Sequence, residues 1–493
     1  MAEPLLLAID QGTTSTRAIV FDADGHIHAQ AQEELTQIYP RPGWVEHDPE
    51  EIWRAVLVTA NAAVAEVGAH RIAALGLTNQ RETALVWDRA SGAPIHNAIV
   101  WQDRRGAETC RRLIADRVEP LVQARTGLVL DSYFSATKIA WILANVPGAA
   151  DRAARGELAF GTVDSFLLWR LTGGRLHVTD ETNAARTLLY DIERRVWDPE
   201  LLEIFGVPTA LLPEVQDSAG DFGATDADLF GRPLPICGVA GDQQAATVGQ
   251  ACFAPGSIKS TYGTGCFMVL NTGETLVRSR NRLLTTPAYR IAGRTTYALE
   301  GSIFNAGSTV KWLRDELGLI RTAAETEGLA AGLPDTGGVY LVPAFTGMGA
   351  PHWDADARAA IVGLTRDSGK AAIARAALEA VAYQTRDLTD AMVADGVPRP
   401  ELIRVDGGMA ENRWLLQFLA DMVDAQVERP AVTETTALGA ACLAGLHAGI
   451  YGSLDDIAAR WRRDSAFRSS MSEPDRAHRL SGWHDAVRRV RSG

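Results

Sequence analysis

Apolar and polar positions alternate in short runs at the start of the chain, where residues 5–9 and 17–21 read as strands. Asp22-Ala23-Asp24-Gly25 after the second run is a hairpin signal. The period then changes. Asp48-Pro49-Glu50-Glu51 opens a helix with an aspartate cap, a proline at the first helical position and acid in the first turn. Ile52, Val56, Ala60, Ala63 and Val67 recur at helical spacing as its buried stripe. Short strands are predicted at 72–77, 84–87 and 234–239, the last running into Gly241-Asp242-Gln243-Gln244 and an Ala-rich helix. The second half repeats the scheme with strands across 258–270, an amphipathic helix over about 370–393, and a strand at 402–405 leading into Asp406-Gly407-Gly408. Strands alternating with helices predict an α/β protein built on mixed sheets.

One short pattern occurs twice, half a chain apart: Ile9-Asp10-Gln11-Gly12-Thr13-Thr14-Ser15 and Ser260-Thr261-Tyr262-Gly263-Thr264-Gly265-Cys266. Each sits between two strand-like runs, so each predicts a Gly-Thr turn whose free N–H groups and hydroxyls can wrap phosphate oxygens. Duplication of one domain is the economical reading, with a boundary near residue 250 and no low-complexity linker to mark it.

Composition narrows the partners. The 493 residues suffice for two to four domains, and a net charge of −13 without a basic run argues against nucleic acid and anionic membrane surfaces. The apolar opening breaks at Asp10 and lacks a basic leader, and no run of membrane-spanning length occurs. Cys110, Cys237, Cys252, Cys266 and Cys442 show no C-x-x-C spacing and read as reduced core thiols of a cytoplasmic protein.

Several residues suggest chemistry, and each has a plainer reading. Asp10, at a strand end beside the first turn, suits Mg²⁺ held through water, or is simply a turn former. In Thr78-Asn79-Gln80-Arg81-Glu82-Thr83, Arg81 and Glu82 offer a donor fork and an acceptor to a polyhydroxyl ligand. Taken alone, that segment reads more simply as a solvated loop with a surface ion pair. Asp242 suits a general base and equally a helix cap. Trp101, Tyr133 and Phe267 could wall a ligand's C–H face, although aromatics flanking strands are more often core. Asp221-Phe222-Gly223 lacks the companion motifs of a protein kinase, and the Walker-like stretch 363–370 has the wrong spacing and Ala371 where a hydroxyl belongs.

Taken in order, these segments resemble the FGGY carbohydrate-kinase family, within the actin and hexokinase-like superfamily. The likeness rests on DQGTTS at 10–15, QIYPRPGWVEHDP at 37–49, TNQRET at 78–83, IVWQDRR at 99–105, YFSATKIAWIL at 133–143, AGDQQAA at 240–246, STYGTGCFM at 260–268 and AFTGMGAPHWD at 344–354. It implies two ribonuclease-H-like (actin-like ATPase) domains, 1–250 and 251–493, with ATP and Mg²⁺ in the cleft between them. The implied activity is phosphorylation of glycerol to sn-glycerol 3-phosphate. Another polyol or sugar is the alternative within the family, and a silent nucleotide-binding regulator the alternative outside catalysis.

By the same resemblance, Thr13, Thr14, Ser15 and Arg17 form the first phosphate site and Thr264 the second. Gly307, Lys311, Gly408 and Asn412 lie near the nucleotide, with Lys311 replacing a glutamine common in the family. Arg81, Glu82, Trp101, Tyr133, Asp242, Gln243 and Phe267 surround glycerol. Asp10, Arg17 and Asp242 carry the catalysis, Asp10 by organising the metal. A homo-oligomer, dimer or tetramer, is implied. The loop 218–232 lacks the Gly-Gly-Lys-type segment for fructose-1,6-bisphosphate and a phosphorylatable histidine, so both controls are expected to be absent. The region after Gly452 is expected to be a helical cover.

Overall fold

The computed structural model describes residues 3–354 and 356–492. Two mixed sheets organise the chain. The first has five strands in the order Ile236–Gly241, Ile72–Asn79, Leu5–Gln11, Ser15–Phe21, Ile27–Glu34. Its first three strands run parallel and its last two complete an antiparallel meander. The second has seven, in the order Leu284–Ile291, Arg294–Ile303, Cys266–Gly273, Ile258–Tyr262, Leu402–Asp406, Gln426–Pro430, Arg463–Phe467. Without its two outermost strands, the second sheet repeats the first: an antiparallel meander of three, then two strands joined in parallel. The repeat seen in the Gly-Thr turns is therefore a repeat of topology.

Local chemistry explains where the elements begin. The Asp48 carboxylate accepts from the Glu50 N–H, and Pro49 opens the helix Pro49–Val67. Ile52, Val56, Ala60 and Ala63 of that helix pack with Leu5, Leu7 and Ile9 of the central strand. Val64 joins them in the core, while Val67, at the helix end, is only partly buried. The long helix Lys370–Ala394 begins where the Walker-like stretch ends, and that stretch is a bend and turn carrying Gly363 at φ 80°.

Connection between the halves is made by helices rather than by a linker. Asp242–Gly249 packs against Thr435–His447, and the latter, although late in the chain, lies on the strands Leu5–Gln11, Ile72–Asn79 and Ile236–Gly241. The approach is close enough to require glycine: a Cβ on Gly439 would stand 1.7 Å from the Ala245 carbonyl oxygen. The five cysteines are free and buried.

Two expectations need correcting. Residues 78–83 are buried, not a solvated loop, because the strand Ile72–Asn79 delivers them between the two halves. The segment beyond Gly452 is not only helical. Its strand Arg463–Phe467 extends the second sheet at the edge, and the helix Glu473–Val490 follows, anchored by the buried Trp483, whose indole donates to Asp387 at 2.7 Å. No helix among the described residues is long and apolar enough to cross a membrane.

Candidate active site

The first Gly-Thr turn joins Leu5–Gln11 to Ser15–Phe21, and its Gly12 N–H donates to the Ser15 carbonyl at 2.9 Å. Side chains from elsewhere hold it in place. Gln37 donates to the Thr13 carbonyl at 2.8 Å, Gln80 to the Gly12 carbonyl at 3.3 Å, and the Trp101 indole to the Thr13 hydroxyl at 2.8 Å. His47 links the two glutamines, with Nε2 3.0 Å from Gln37 Oε1 and Nδ1 3.3 Å from Gln80 Nε2. An amide oxygen only accepts and an amide nitrogen only donates, so the neutral Nε2–H imidazole fits both contacts. Thr14 is exposed at the tip and Ser15 is buried.

Asp10 and Arg17 are direct cross-strand partners beside this turn. Burial pushes the Asp10 carboxyl up to about 7; Arg17 opposes the shift, and Asp242 and Glu434 reinforce it. A carboxyl held in such surroundings favours an added positive charge, so the residues fit a divalent cation. Among the described residues no cluster of three or more His, Cys, Asp or Glu could hold a metal. A Mg²⁺ here would therefore take most of its ligands from phosphate and water, as that ion commonly does. Arg17 Nη1 pairs with Glu434 at 2.8 Å, just ahead of the helix Thr435–His447.

Main chain secures the second turn. Thr264 is exposed at its tip, and its carbonyl accepts from Ala306 and Ser308 N–H groups, each at 3.0 Å. The Gly307 N–H donates to the Gly263 carbonyl at 3.0 Å. A Cβ on Gly265 would meet the Ile303 carbonyl oxygen at 2.6 Å, and one on Gly307 the Gly263 carbonyl oxygen at 2.5 Å. The turn thus rests on the start of the helix Gly307–Asp315 through glycine-only contacts. Lys311 is exposed one turn along that helix. Gly408 is exposed to open space, with nothing within 4 Å of a built Cβ. Asn412 caps the helix Arg413–Val423 through the Leu415 N–H at 2.9 Å and also donates to Thr326, so it has a structural task.

Between the turns, the other predicted residues converge. Arg81 Nε lies 3.1 Å from Asp242, and Nη1 donates to Gln244 at 3.2 Å. Asp242 does not cap its helix: Gly241 holds the cap position, and the carboxylate remains about one-third exposed (32%). Glu82 adopts φ 60°, a left-handed conformation uncommon for a side-chain-bearing residue. Trp101 meets Tyr133 edge-on with ring centroids 5.5 Å apart and Phe267 at 6.4 Å, a three-ring wall. Lys259 donates to Gln243 Oε1, and because an ammonium has no acceptor, this contact fixes the amide orientation. Lys138 donates to the carbonyls of Ser132, Tyr133 and Phe134, holding the Tyr133 turn.

Four charged residues escaped sequence reasoning: Arg186, Lys259, Glu300 and Glu434. Glu300 accepts from Arg81 at 2.5 and 3.2 Å and from Arg186 at 2.9 Å; Arg186 also donates to Glu82 at 2.6 Å. Burial opposes its ionisation, yet Arg186 and Arg81 hold the Glu300 carboxyl at about 2. Burial raises Glu82, with Arg186 and Arg81 pulling the other way. Single charges within strand-like runs, Lys259 in IKSTY and Glu300 in TYALEGSI, were the available signal.

The FGGY family of carbohydrate kinases matches this chain twice, its N-terminal domain over residues 5–249 and its C-terminal domain over 258–448. The chain belongs to that family. Within it, a glycerol kinase from Rhodospirillum centenum is 65% identical over 492 residues, 99% of each chain, and one from Rhizobium rhizogenes is 61% identical over 492 residues with the same coverage. The solved Plasmodium falciparum glycerol kinase with ADP superposes with a TM-score of 0.93 at 38% identity, over 99% of this chain and 98% of that one. Full-length identity of 59–65% to proteins of that name places the chain among the glycerol kinases of the family.

Proposed function

We propose that this chain transfers the terminal phosphoryl group of MgATP to a primary hydroxyl of glycerol, giving sn-glycerol 3-phosphate and ADP. The observation that carries the reading is the placement of Arg81, Glu82, Asp242 and Gln243 against the Trp101–Tyr133–Phe267 wall, between two phosphate-suited turns. A triol has three hydroxyls and a narrow C–H edge, and these residues match both. Lys259 takes the Gln243 amide oxygen, so Gln243 would serve the triol as an NH₂ donor, while the Asp242 and Glu82 carboxylates accept.

Phosphoryl transfer needs in-line positioning and charge stabilisation more than covalent help. Asp242 accepts the proton of the attacking hydroxyl, with Arg81 fixing its direction. Thr13, Thr14 and Ser15 on one side and Thr264 on the other bracket the phosphates, and Arg17 meets the charge of the transferring group. Asp10 would hold Mg²⁺, and the ion would supply charge neutralisation on the phosphates when bound. Gly307, Lys311 and Gly408 approach the adenosine. The five buried thiols support a cytoplasmic setting.

The test is ADP formation from MgATP with glycerol and with other polyols, repeated in Asp242→Asn. Loss of the base should lower kcat by about 10²- to 10⁴-fold with nucleotide binding kept within a few-fold. Equal turnover in the variant would discard the base, and a stronger response to another polyol would replace glycerol.

A further inference from the structure

Five charged side chains at the polyol end of the site form one cluster of alternating sign: Asp242 pairs with Arg81, Glu300 joins Arg81 to Arg186, and Glu82 pairs with Arg186 and, at 3.8 Å, with Arg81. Two of its members, Asp242 and Glu82, are the carboxylates that face the substrate in the reading above, on which this inference rests. Its centre, Glu300, comes from the strand Arg294–Ile303 of the other sheet. Glu300 is fully buried, and both its oxygens are engaged by guanidinium groups, Oε1 by Arg81 and Arg186 and Oε2 by Arg81. We propose that Glu300 is a positioning residue for the phosphoryl acceptor, aligning both substrate-facing carboxylates through Arg81 and Arg186.

Guanidinium geometry carries the argument. Arg81 turns its Nη1–Nη2 edge to Glu300, which leaves Nε as its contact with Asp242 at 3.1 Å, with Glu82 farther from the same nitrogen at 3.8 Å. A guanidinium free of Glu300 would turn a two-nitrogen edge to Asp242, because bidentate pairing with a carboxylate is the stronger arrangement. That would draw Asp242 into the cluster and away from the alcohol. Arg186 is placed alike: Nη2 goes to Glu300, Nε to Glu82, and the guanidinium sits 5.8 Å from the Tyr133 ring centroid. Two buried cations sharing one anion are thereby kept from collapsing onto the carboxylates they orient. Glu300 also pairs in register with Val269, two residues beyond Phe267 on the neighbouring strand. Glu300 of the charged cluster and Phe267 of the aromatic wall therefore share one strand pair, and the strand of Phe267 leaves directly from the second turn.

Steady-state kinetics of the full chain decides this, with KM for the polyol and for MgATP measured in wild type, Glu300→Gln and Glu300→Asp. Glu300→Gln keeps the shape and loses the charge; it should raise the polyol KM and lower kcat, each about tenfold or more, with MgATP KM within about twofold. Glu300→Asp keeps the charge on a shorter arm and should be the milder change. A packing role predicts the reverse order, and that order, or a parallel rise in both KM values, would overturn the proposal. If Glu300→Gln does not fold, Glu300→Asp alone decides: a severalfold rise in polyol KM at constant MgATP KM supports the proposal, and an unmoved polyol KM ends it. A wild type that ignores glycerol but phosphorylates another polyol refutes the glycerol reading only, and the same comparison is then made with that polyol.

Discussion

The two Gly-Thr turns share a sequence pattern and a topology, yet they are held by opposite means. The first hangs on side chains: Gln37, Gln80 and Trp101 bond to Gly12 and Thr13, with His47 linking the glutamines and the Asp10–Arg17 pair beside the turn. The second is clamped by main chain, with Gly263, Gly265 and Gly307 packed too closely for a Cβ on either of the latter two. One topology thus carries two supports, the first set among side chains and a charged pair and the second in tightly packed backbone.

The largest break in this comparison should come from Arg17→Met. If the first turn meets the charge of the transferring phosphoryl, kcat should fall about 100-fold or more. Its partner Glu434 is about one-third exposed, so thermal stability should barely change. A kcat near wild type would remove Arg17 from the chemistry. Gly265→Ala tests the second turn. Its Cβ would face the Ile303 and Phe304 carbonyl oxygens at 2.6 and 3.2 Å, and backbone cannot yield as a side chain does. An overpacking cost of about 1–3 kcal/mol, where it falls on the turn that holds the phosphates, should appear as a rise in MgATP KM of roughly fivefold to 100-fold. Gly263→Ala, whose Cβ would have its nearest neighbour at 4.0 Å, is the matched control and should leave MgATP KM close to wild type.

Acid should separate the turns as well. Burial holds the His47 imidazole at about 4, against an upward pull from Glu51 and an ordinary value of 6.5. The folded protein therefore keeps this ring neutral where the unfolded chain binds a proton. Its contribution is complete above pH 6.5 and is lost as pH falls through 4, about 3 kcal/mol in all. Thermal unfolding between pH 7 and 4.5 should show the decline, and His47→Gln should flatten it in part, since burial also holds His177 at about 4. An unchanged slope in the variant would assign the decline to other groups. The smallest effect is expected from Trp101→Phe, which keeps a ring in the wall and removes one hydrogen bond to Thr13. A loss of about 0.5–1.5 kcal/mol, or roughly two- to tenfold in kcat/KM, is expected; a larger loss would make the indole a central support of the first turn.

Much of this architecture was legible in the chain. The strands flanking both turns, the capped helix after Asp48 and the long helix from Lys370 follow from local period and cap chemistry, and the structure contains each. Residues 78–83 misled because polar composition imitates a surface loop; only the sheet shows that the strand before them ends between the two halves. Glu300 and Arg186 stand 114 residues apart, and nothing local announces that each is the other's partner.

What the sequence determined by itself was the repeated strand–turn–strand unit and the family, because period, turn chemistry and ordered motifs are local properties. Tertiary structure decided how those residues are supported. It left Asp242 outside the cap, gave Asn412 a capping task, fixed the Gln243 amide through Lys259 and brought Glu300 between Arg81 and Arg186, the partners of Asp242 and Glu82. Buried charges find their partners through the packing of distant segments in a medium that penalises unpaired ions, and that choice is made only when the sheets come together.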